Sequence, residues 1–140
     1  MLEINIIAVL VAVVANFIVG FVWYTPLFGK AWAKEMKLEV NRKPTPAELG
    51  KGMTIMVIGN FLMAWVFAHN IGAWSYVPGM TEAPFAGNLV SSAVFTWLGF
   101  YVPTDLSVVA WEGKSWKLFF INTTYHLLTL FVAAFIIMSM

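Results

Sequence analysis

The stretch INIIAVLVAVVANFIVGFVWY, from Ile4 to Tyr24, decides the fold of this chain, because it is almost unbrokenly apolar over 21 residues. A bilayer core about 30 Å thick is crossed by about 20 helical residues, each rising about 1.5 Å. The stretch therefore predicts a membrane-spanning helix. A signal peptide is the alternative, but Glu3 stands where such peptides carry positive charge, and the terminal Trp23-Tyr24 pair is typical of a permanent span.

Three further apolar runs follow, at about Gly52–Ala73, about Phe85–Val102 and Leu118–Met140. Hydrophobic residues make up 61% of the chain and charged residues 11%, whereas soluble domains are about half apolar and about a quarter charged. Long continuous runs satisfy their backbone polar groups as helices, and the alternating segments of a membrane β-barrel are missing from the sequence. The prediction is an all-α, polytopic membrane protein: a four-transmembrane-helix bundle that forms one domain over residues 1–140, with spans at about 4–24, 48–72, 85–105 and 117–139.

The chain changes character in GFVWYTPLFGKAW, Gly20 to Trp32. The residue before Pro26 is pushed out of helical geometry, so the first span ends or bends there. Apolar residues then recur at helical spacing with lysines on the other side, which predicts a short amphipathic interfacial helix over about 27–37. We interpret the aromatic residues near helix ends as interfacial anchors, although a ligand-binding aromatic pocket is the alternative. The predicted anchors are Trp23, Tyr24, Trp32, Trp111 and Trp116.

Every lysine and arginine lies in one of two connections: Lys30, Lys34, Lys37, Arg42, Lys43 and Lys51 in the first, and Lys114 and Lys117 in the second. By the positive-inside rule, loops 25–51 and 106–117 should be cytoplasmic and both termini non-cytoplasmic. The expected partners are the lipid bilayer and, at the basic loop, anionic lipid headgroups. Nucleic acid is not an expected partner, because headgroups account for the basic loop better.

Several helix ends can be predicted from capping residues. Thr45, Pro46 and Glu48 form a capping box with proline at the first helical position. In the third span we favour a helix that continues past Pro103 and stops at Glu112-Gly113, with Ser115 capping the fourth helix; this interpretation places Asp105 at the interface. The alternative is a break inside the membrane with a functional Asp105, since an intramembrane carboxylate is a functional hypothesis by default.

Each predicted span contributes to one layer of polar residues. Counted along the helices, these residues lie about 8–18 Å from the cytoplasmic interface. They either hydrogen-bond across the bundle and hold it together, or line a ligand site. The members of this polar layer are Asn16, Asn60, Thr96, Asn122 and His126.

Two segments carry a resemblance to a known family: WYTPLFGKAW, and WLGF followed by a proline and WEGKSWKLFFINTTYHLL. They resemble a bacterial and fungal membrane family catalogued as domain of unknown function 1761. The resemblance covers nearly the whole chain and implies four membrane helices and no established activity. The family's recurrent features fall on Trp23, Tyr24, Pro26, Phe28, Gly29, Trp32, Trp97, Leu98, Gly99, Phe100, Pro103, Glu112, Gly113, Tyr125 and His126.

The sequence contains no catalytic, phosphate-binding or dinucleotide-binding motif, so we predict no catalytic residue and no cofactor. With no cysteine and only two histidines, we predict no metal site. The favoured function is a structural or interaction component of the membrane. The alternative is a small-molecule or ion transporter or channel that uses the Asn/His layer, and an intramembrane enzyme is the third class. A homo-oligomer is expected for the transporter, because four short helices enclose little lumen.

Overall fold

The computed structural model describes residues 3–39, 43–79 and 82–140. Helix α1, Ile6–Val22, continues into a π-helical turn at Trp23–Leu27. The short helix α2, Gly29–Glu35, and the long helix α3, Pro46–Trp74, follow. Helix α4, Phe85–Thr96, passes through a second π-helical turn at Trp97–Tyr101 into α5, Val102–Glu112, and α6 is Trp116–Ser139. All regular structure in the described ranges is helical, so the all-α prediction is confirmed.

Four of these helical stretches are long and apolar enough to cross a membrane: Ile6–Leu27, Pro46–Trp74, Phe85–Glu112 and Trp116–Ser139. Many large apolar side chains on their outer faces are exposed, among them Ile7, Val14 and Phe21 on the first stretch. A soluble monomer rarely exposes an apolar surface of this extent, whereas lipid is its natural solvent. The architecture is that of an integral multi-pass membrane protein.

The predicted helix ends are formed by the expected residues. The Thr45 hydroxyl accepts a hydrogen bond from the Glu48 amide at 3.2 Å, and the Glu48 carboxylate accepts one from the Thr45 amide at 2.9 Å. Gly113 ends α5 in the left-handed region at φ 63°, and the Ser115 hydroxyl caps α6 by accepting from the Leu118 amide. The third helix therefore continues beyond Pro103 to Glu112, as the favoured interpretation predicted.

Helices α1 and α6 form the antiparallel centre of the bundle. The Asn5 side chain at the start of α1 donates to the carbonyl of Met140 at the end of α6, over 3.2 Å. Helix α3 packs on the other side of α1, while α4 and α5 pack on α6. Fully buried alanines at Ala8, Ala12 and Ala133 let these backbones approach closely, which is the main means of helix association in lipid.

Helix α2 is shorter than the predicted interfacial helix over 27–37, because the π-helical turn extends to Leu27 and Phe28 leaves helical geometry at φ −115°. At its other end Lys37 takes the left-handed conformation, and the Leu38 amide donates back to the Ala33 carbonyl. The Ser115 hydroxyl donates to the Glu35 carboxylate at 2.5 Å. This bond holds the last residue of α2 against Ser115, the N-cap residue of α6.

Candidate functional site: a histidine–aspartate pair in a groove between spans

Two spans contain a π-helical turn, and both turns begin at a tryptophan. The Phe28 amide donates to the Trp23 carbonyl five residues earlier, at 2.8 Å, and the Val102 amide donates to the Trp97 carbonyl. Proline lies in or next to each turn, at Pro26 and Pro103, where its missing N–H and its ring disturb the regular ladder. Such turns inside helices often mark functional sites, because they re-aim the side chains around them.

Both of these tryptophans reach the same part of α6. The Trp23 indole donates to the Ile121 carbonyl at 3.1 Å, and the Trp97 indole donates to the Thr123 carbonyl at 2.8 Å. The Trp97 indole is also 3.0 Å from the Thr123 hydroxyl. The first and third spans therefore hold α6 within one helical turn, just before His126.

A histidine–aspartate pair lies next to this clamp. His126 Nδ1 on α6 is 2.9 Å from Asp105 Oδ2 on α5, which is a hydrogen-bonding distance. Asp105 is only 8% exposed, and the Tyr101 ring lies against the imidazole with 4.7 Å between centroids. The Asp105 carboxylate thus packs inside the bundle, four residues after the second π-helical turn, and its depth at an interface stays a prediction.

The pair lines a cavity between α3 and the third span. Helix α3 makes at most marginal backbone contact with α4, so the two diverge and leave a groove whose floor is α6. The inner part of the groove has a volume of about 510 Å³ and contains His126 and Asp105, and the outer part has a volume of about 360 Å³. Phe67, Asn70 and Thr96 line both parts, which makes the groove continuous.

The walls of the groove are mainly apolar, with polar groups at both ends and, at Asn70 and Thr96, where the two parts meet. The residues that line it include Met63, Phe67, Asn70, Ile71 and Trp74 on α3, Asn88, Ser91, Ser92, Phe95 and Thr96 on α4, Phe100, Tyr101, Thr104 and Asp105 beyond it, and His126, Leu130 and Met138 on α6. A mostly apolar cleft of several hundred Å³ with a few convergent polar groups has the character of a small-molecule site.

The chain matches, over residues 7–138, the family described as protein of unknown function (DUF1761). The chain belongs to this family. No curated protein and no solved structure matches it. Of the positions that carry the resemblance to DUF1761 in this sequence, Trp23 and Trp97 form the clamp on α6, and His126 forms the pair with Asp105.

The five residues of the predicted polar layer fall into three places. His126 and Thr96 line the inner part of the groove together. Asn122 lies one turn before His126 and accepts a hydrogen bond from the Tyr24 hydroxyl at 2.9 Å. Asn16 and Asn60 are buried in α1 and α3, and among the described residues no hydrogen bond reaches either atom of the Asn16 amide or Nδ2 of Asn60. Among the described residues, no hydrogen bond joins two members of the polar layer.

The predicted anchors also divide into two groups. Trp111 is 89% exposed and Trp116 is largely exposed, which suits contact with the surroundings of the bundle. Trp23 and Tyr24 instead have partners on α6, while the Trp32 ring packs edge-on against Tyr24 with 5.5 Å between centroids. Anchoring at the interface stays a prediction for all five, and three of them, Trp23, Tyr24 and Trp32, have an additional packing role.

Sequence reasoning named Asp105 only as the less favoured alternative, and it missed both the pairing of Asp105 with His126 and the indole donors of the clamp. The signal for Asp105 was a carboxylate two residues after a proline within the third apolar stretch, since such a carboxylate rarely lies in a span without a partner. The signal for the clamp was the aromatic and proline residues at the ends of the first and third runs. A tryptophan has one strong donor, which must find an acceptor when the side chain leaves water.

Proposed function

We propose that this membrane protein is an interaction component that binds a small amphiphile, taken up sideways from the bilayer into the groove between α3 and the third span. The observation that carries the proposal is the His126–Asp105 pair at the inner end of that groove. Ionisable groups in a membrane interior are expensive, and those that are retained usually serve a ligand, an ion or a proton.

The position of the groove favours entry from lipid. Its two walls belong to the outer helices of the bundle, whereas its floor is the central helix α6. Exposed aromatic rings such as Phe95 and Phe100 line the edge along the third span. An apolar molecule can therefore exchange between lipid and groove without crossing a polar barrier, and only its polar group has to find a partner.

Photolabelling tests this proposal directly. The purified protein in lipid nanodiscs is irradiated with a long-chain alcohol that carries a diazirine, and the labelled peptides are mapped. We expect saturable labelling concentrated on the groove walls. Thr96→Phe, which fills the middle of the groove, should abolish it, whereas Val14→Phe on the exposed face of α1 should not. Labelling spread evenly over all lipid-facing residues, with no saturation, would refute the proposal.

We further propose the orientation that the positive-inside rule predicts, with the basic loops cytoplasmic and both termini outside. Helix α2 then lies on the cytoplasmic side, where its lysines Lys30 and Lys34 can contact anionic headgroups. The bond between Glu35 and Ser115 supports a fixed position of α2 relative to α6.

Transport is the second candidate, because a histidine and a carboxylate that share a hydrogen bond can accept and release a proton. The centre of a single copy is filled by the α1–α6 contact, so a transport path would have to follow the groove or form between copies. Proton flux into liposomes that contain the protein, lost in Asp105→Asn, would favour transport over binding alone.

A further inference from the structure

Two asparagines inside the bundle lack the partners that their amides require. Asn16 is completely buried and Asn60 is 8% exposed. Among the described residues, no hydrogen bond reaches Nδ2 or Oδ1 of Asn16, or Nδ2 of Asn60. Exchanging the oxygen and the nitrogen of the Asn16 amide leaves both atoms without a partner, so this deficit does not depend on which way the amide is turned. Because buried polar groups are nearly always hydrogen-bonded and an unmade bond is costly, the three atoms require a partner.

The two asparagines lie at the same end of the contact between α1 and α3. Helix α3 packs on α1 and, as the next span, runs in the opposite direction. Asn16 is the last buried residue of α1, and Asn60 is the first buried residue of α3. In an antiparallel pair these two ends meet, so the two amides lie near each other where the contact stops. Every residue of α3 from Pro46 to Gly59 is exposed, so α3 leaves the bundle just before Asn60.

Helix α6 faces this place from the third side without supplying a donor. A Cβ on Gly20 would touch the Tyr125 hydroxyl, and one turn away from this close approach Asn16 lies opposite Thr129 on the antiparallel helix. The Thr129 hydroxyl donates to the His126 carbonyl at 2.9 Å, so its hydrogen is not available to Oδ1 of Asn16. The partner of the two amides therefore has to come from outside the chain.

We propose that water is bound between Asn16 and Asn60, where α1, α3 and α6 meet. Water both donates to Oδ1 and accepts from Nδ2, and a buried water typically makes about three hydrogen bonds. A hard cation requires several oxygen ligands, whereas two of the three unpaired atoms are amide nitrogens, which donate. An anion would bring an uncompensated charge, since all lysines and arginines lie in the two basic connections. The complete burial of Asn16 excludes a much larger molecule.

This water site is separate from the groove. Neither asparagine lines the groove, so the site does not depend on the proposed binding of an amphiphile. Water reaches it from the side where α3 leaves the bundle, because Asn60 keeps its small exposed fraction and a Cβ on the adjacent Gly59 would meet no atom within 4 Å. The contact between α1 and α3 is thus closed by small apolar side chains along its length and by hydrated amides at its last turn.

The first test observes the water in the wild-type protein. The pair Ala15-Asn16 is the only Ala–Asn pair in the chain, so alanine labelled at its carbonyl carbon, combined with asparagine labelled at its carbons and nitrogens, assigns the signals of Asn16. Solid-state NMR in nanodiscs, at a temperature that stops hydrogen exchange, should show magnetisation transfer from water to the Asn16 side-chain amide. No transfer from water, with or without a direct contact between the two asparagine amides, overturns the proposal.

The second test asks whether Asn60 holds the same water. Asn60→Leu removes one partner at nearly unchanged size, so the transfer from water to Asn16 should be lost. Ile58→Leu on the exposed surface of α3 is the matched control and should keep the transfer at the wild-type level. Transfer that persists in Asn60→Leu overturns the proposal.

A variant that leaves both asparagines in place covers the case in which Asn60→Leu does not fold. Gly59→Ala fits without a clash and creates a second Ala–Asn pair, so the same labelling then also assigns Asn60. The amides of Asn16 and Asn60 should receive magnetisation from water at similar rates. An Asn60 amide that receives none overturns the proposal.

Discussion

Gly20 is the point where α1 comes closest to the aromatic cluster on α6, and a substitution there tests that packing. A Cβ atom built on Gly20 would lie 2.9 Å from the hydroxyl oxygen of Tyr125 and 3.6 Å from Cζ of the same ring. The distance to the hydroxyl oxygen is too short for a real contact, whereas the distance to Cζ is an ordinary van der Waals contact. We therefore expect Gly20→Ala to clash with a single atom, which Tyr125→Phe would remove.

The expected magnitude follows from two opposing terms. Replacing a helical glycine by alanine gains up to about 1 kcal/mol. Overpacking a tight site costs about 1–3 kcal/mol, and the Tyr125 ring cannot simply swing away because it is buried between Tyr24 and Trp23. Gly20→Ala should thus lower the free energy of unfolding by about 0–2 kcal/mol in the wild type. In a Tyr125→Phe background, Gly20→Ala should instead raise the free energy of unfolding by up to about 1 kcal/mol.

The assay is a double-mutant cycle on the free energy of unfolding, measured by denaturant titration in mixed micelles. The coupling between the two substitutions should be about 1–3 kcal/mol. Gly59→Ala on α3 is the matched control, because a Cβ there meets no atom within 4 Å, so this substitution should show no coupling to Tyr125→Phe. Effects at Gly20 and Tyr125 that add within about 0.5 kcal/mol would refute the close approach of α1 and α6.

Three further predictions concern the connections. Gly29→Ala places a Cβ 2.6 Å from the Tyr24 carbonyl oxygen, a backbone atom that cannot move without opening the turn; it should lower the free energy of unfolding by about 2 kcal/mol or more in the same titration. Lys37→Gly should raise the free energy of unfolding by about 1 kcal/mol, because the left-handed backbone conformation of Lys37 costs a residue with a side chain about that much. If the free energy of unfolding does not rise, Lys37 makes a compensating contact. For orientation, single cysteines at Glu82 and Lys34 should react with an impermeant maleimide from outside and from the cytoplasm, respectively, and the reverse pattern would invert the bundle.

The helices could be predicted from the sequence because their determinants are local. Run length fixed the number of candidate spans, and Thr45, Gly113 and Ser115 marked three helix ends through hydrogen bonds or backbone conformations that involve only near neighbours. Small residues four apart, such as Ala8 and Ala12, form a completely buried packing face, and this spacing along one helix is also a local feature of the sequence.

The candidate site could be predicted only in part, because it depends on the rotation of whole helices. Counting residues from Phe85 placed Asp105 near an interface, but the count could not include the π-helical turn at Trp97–Tyr101 or the pairing of Asp105 with α6. His126 was recognised as a polar group in a span and Asp105 was named as an alternative functional carboxylate, but their pairing was not predicted. A layer defined by depth alone also grouped Asn16 with His126, although only the latter faces the groove.

A density map of the protein in lipid nanodiscs, at a resolution that shows side chains, would reveal whether the groove is open and occupied. We expect His126 Nδ1 to be hydrogen-bonded to Asp105, and a separate elongated density to lie in the groove between Phe67 and Thr96 with its polar end touching His126. A groove closed by direct contact between α3 and α4, or filled by a helix of a second copy, would contradict this expectation.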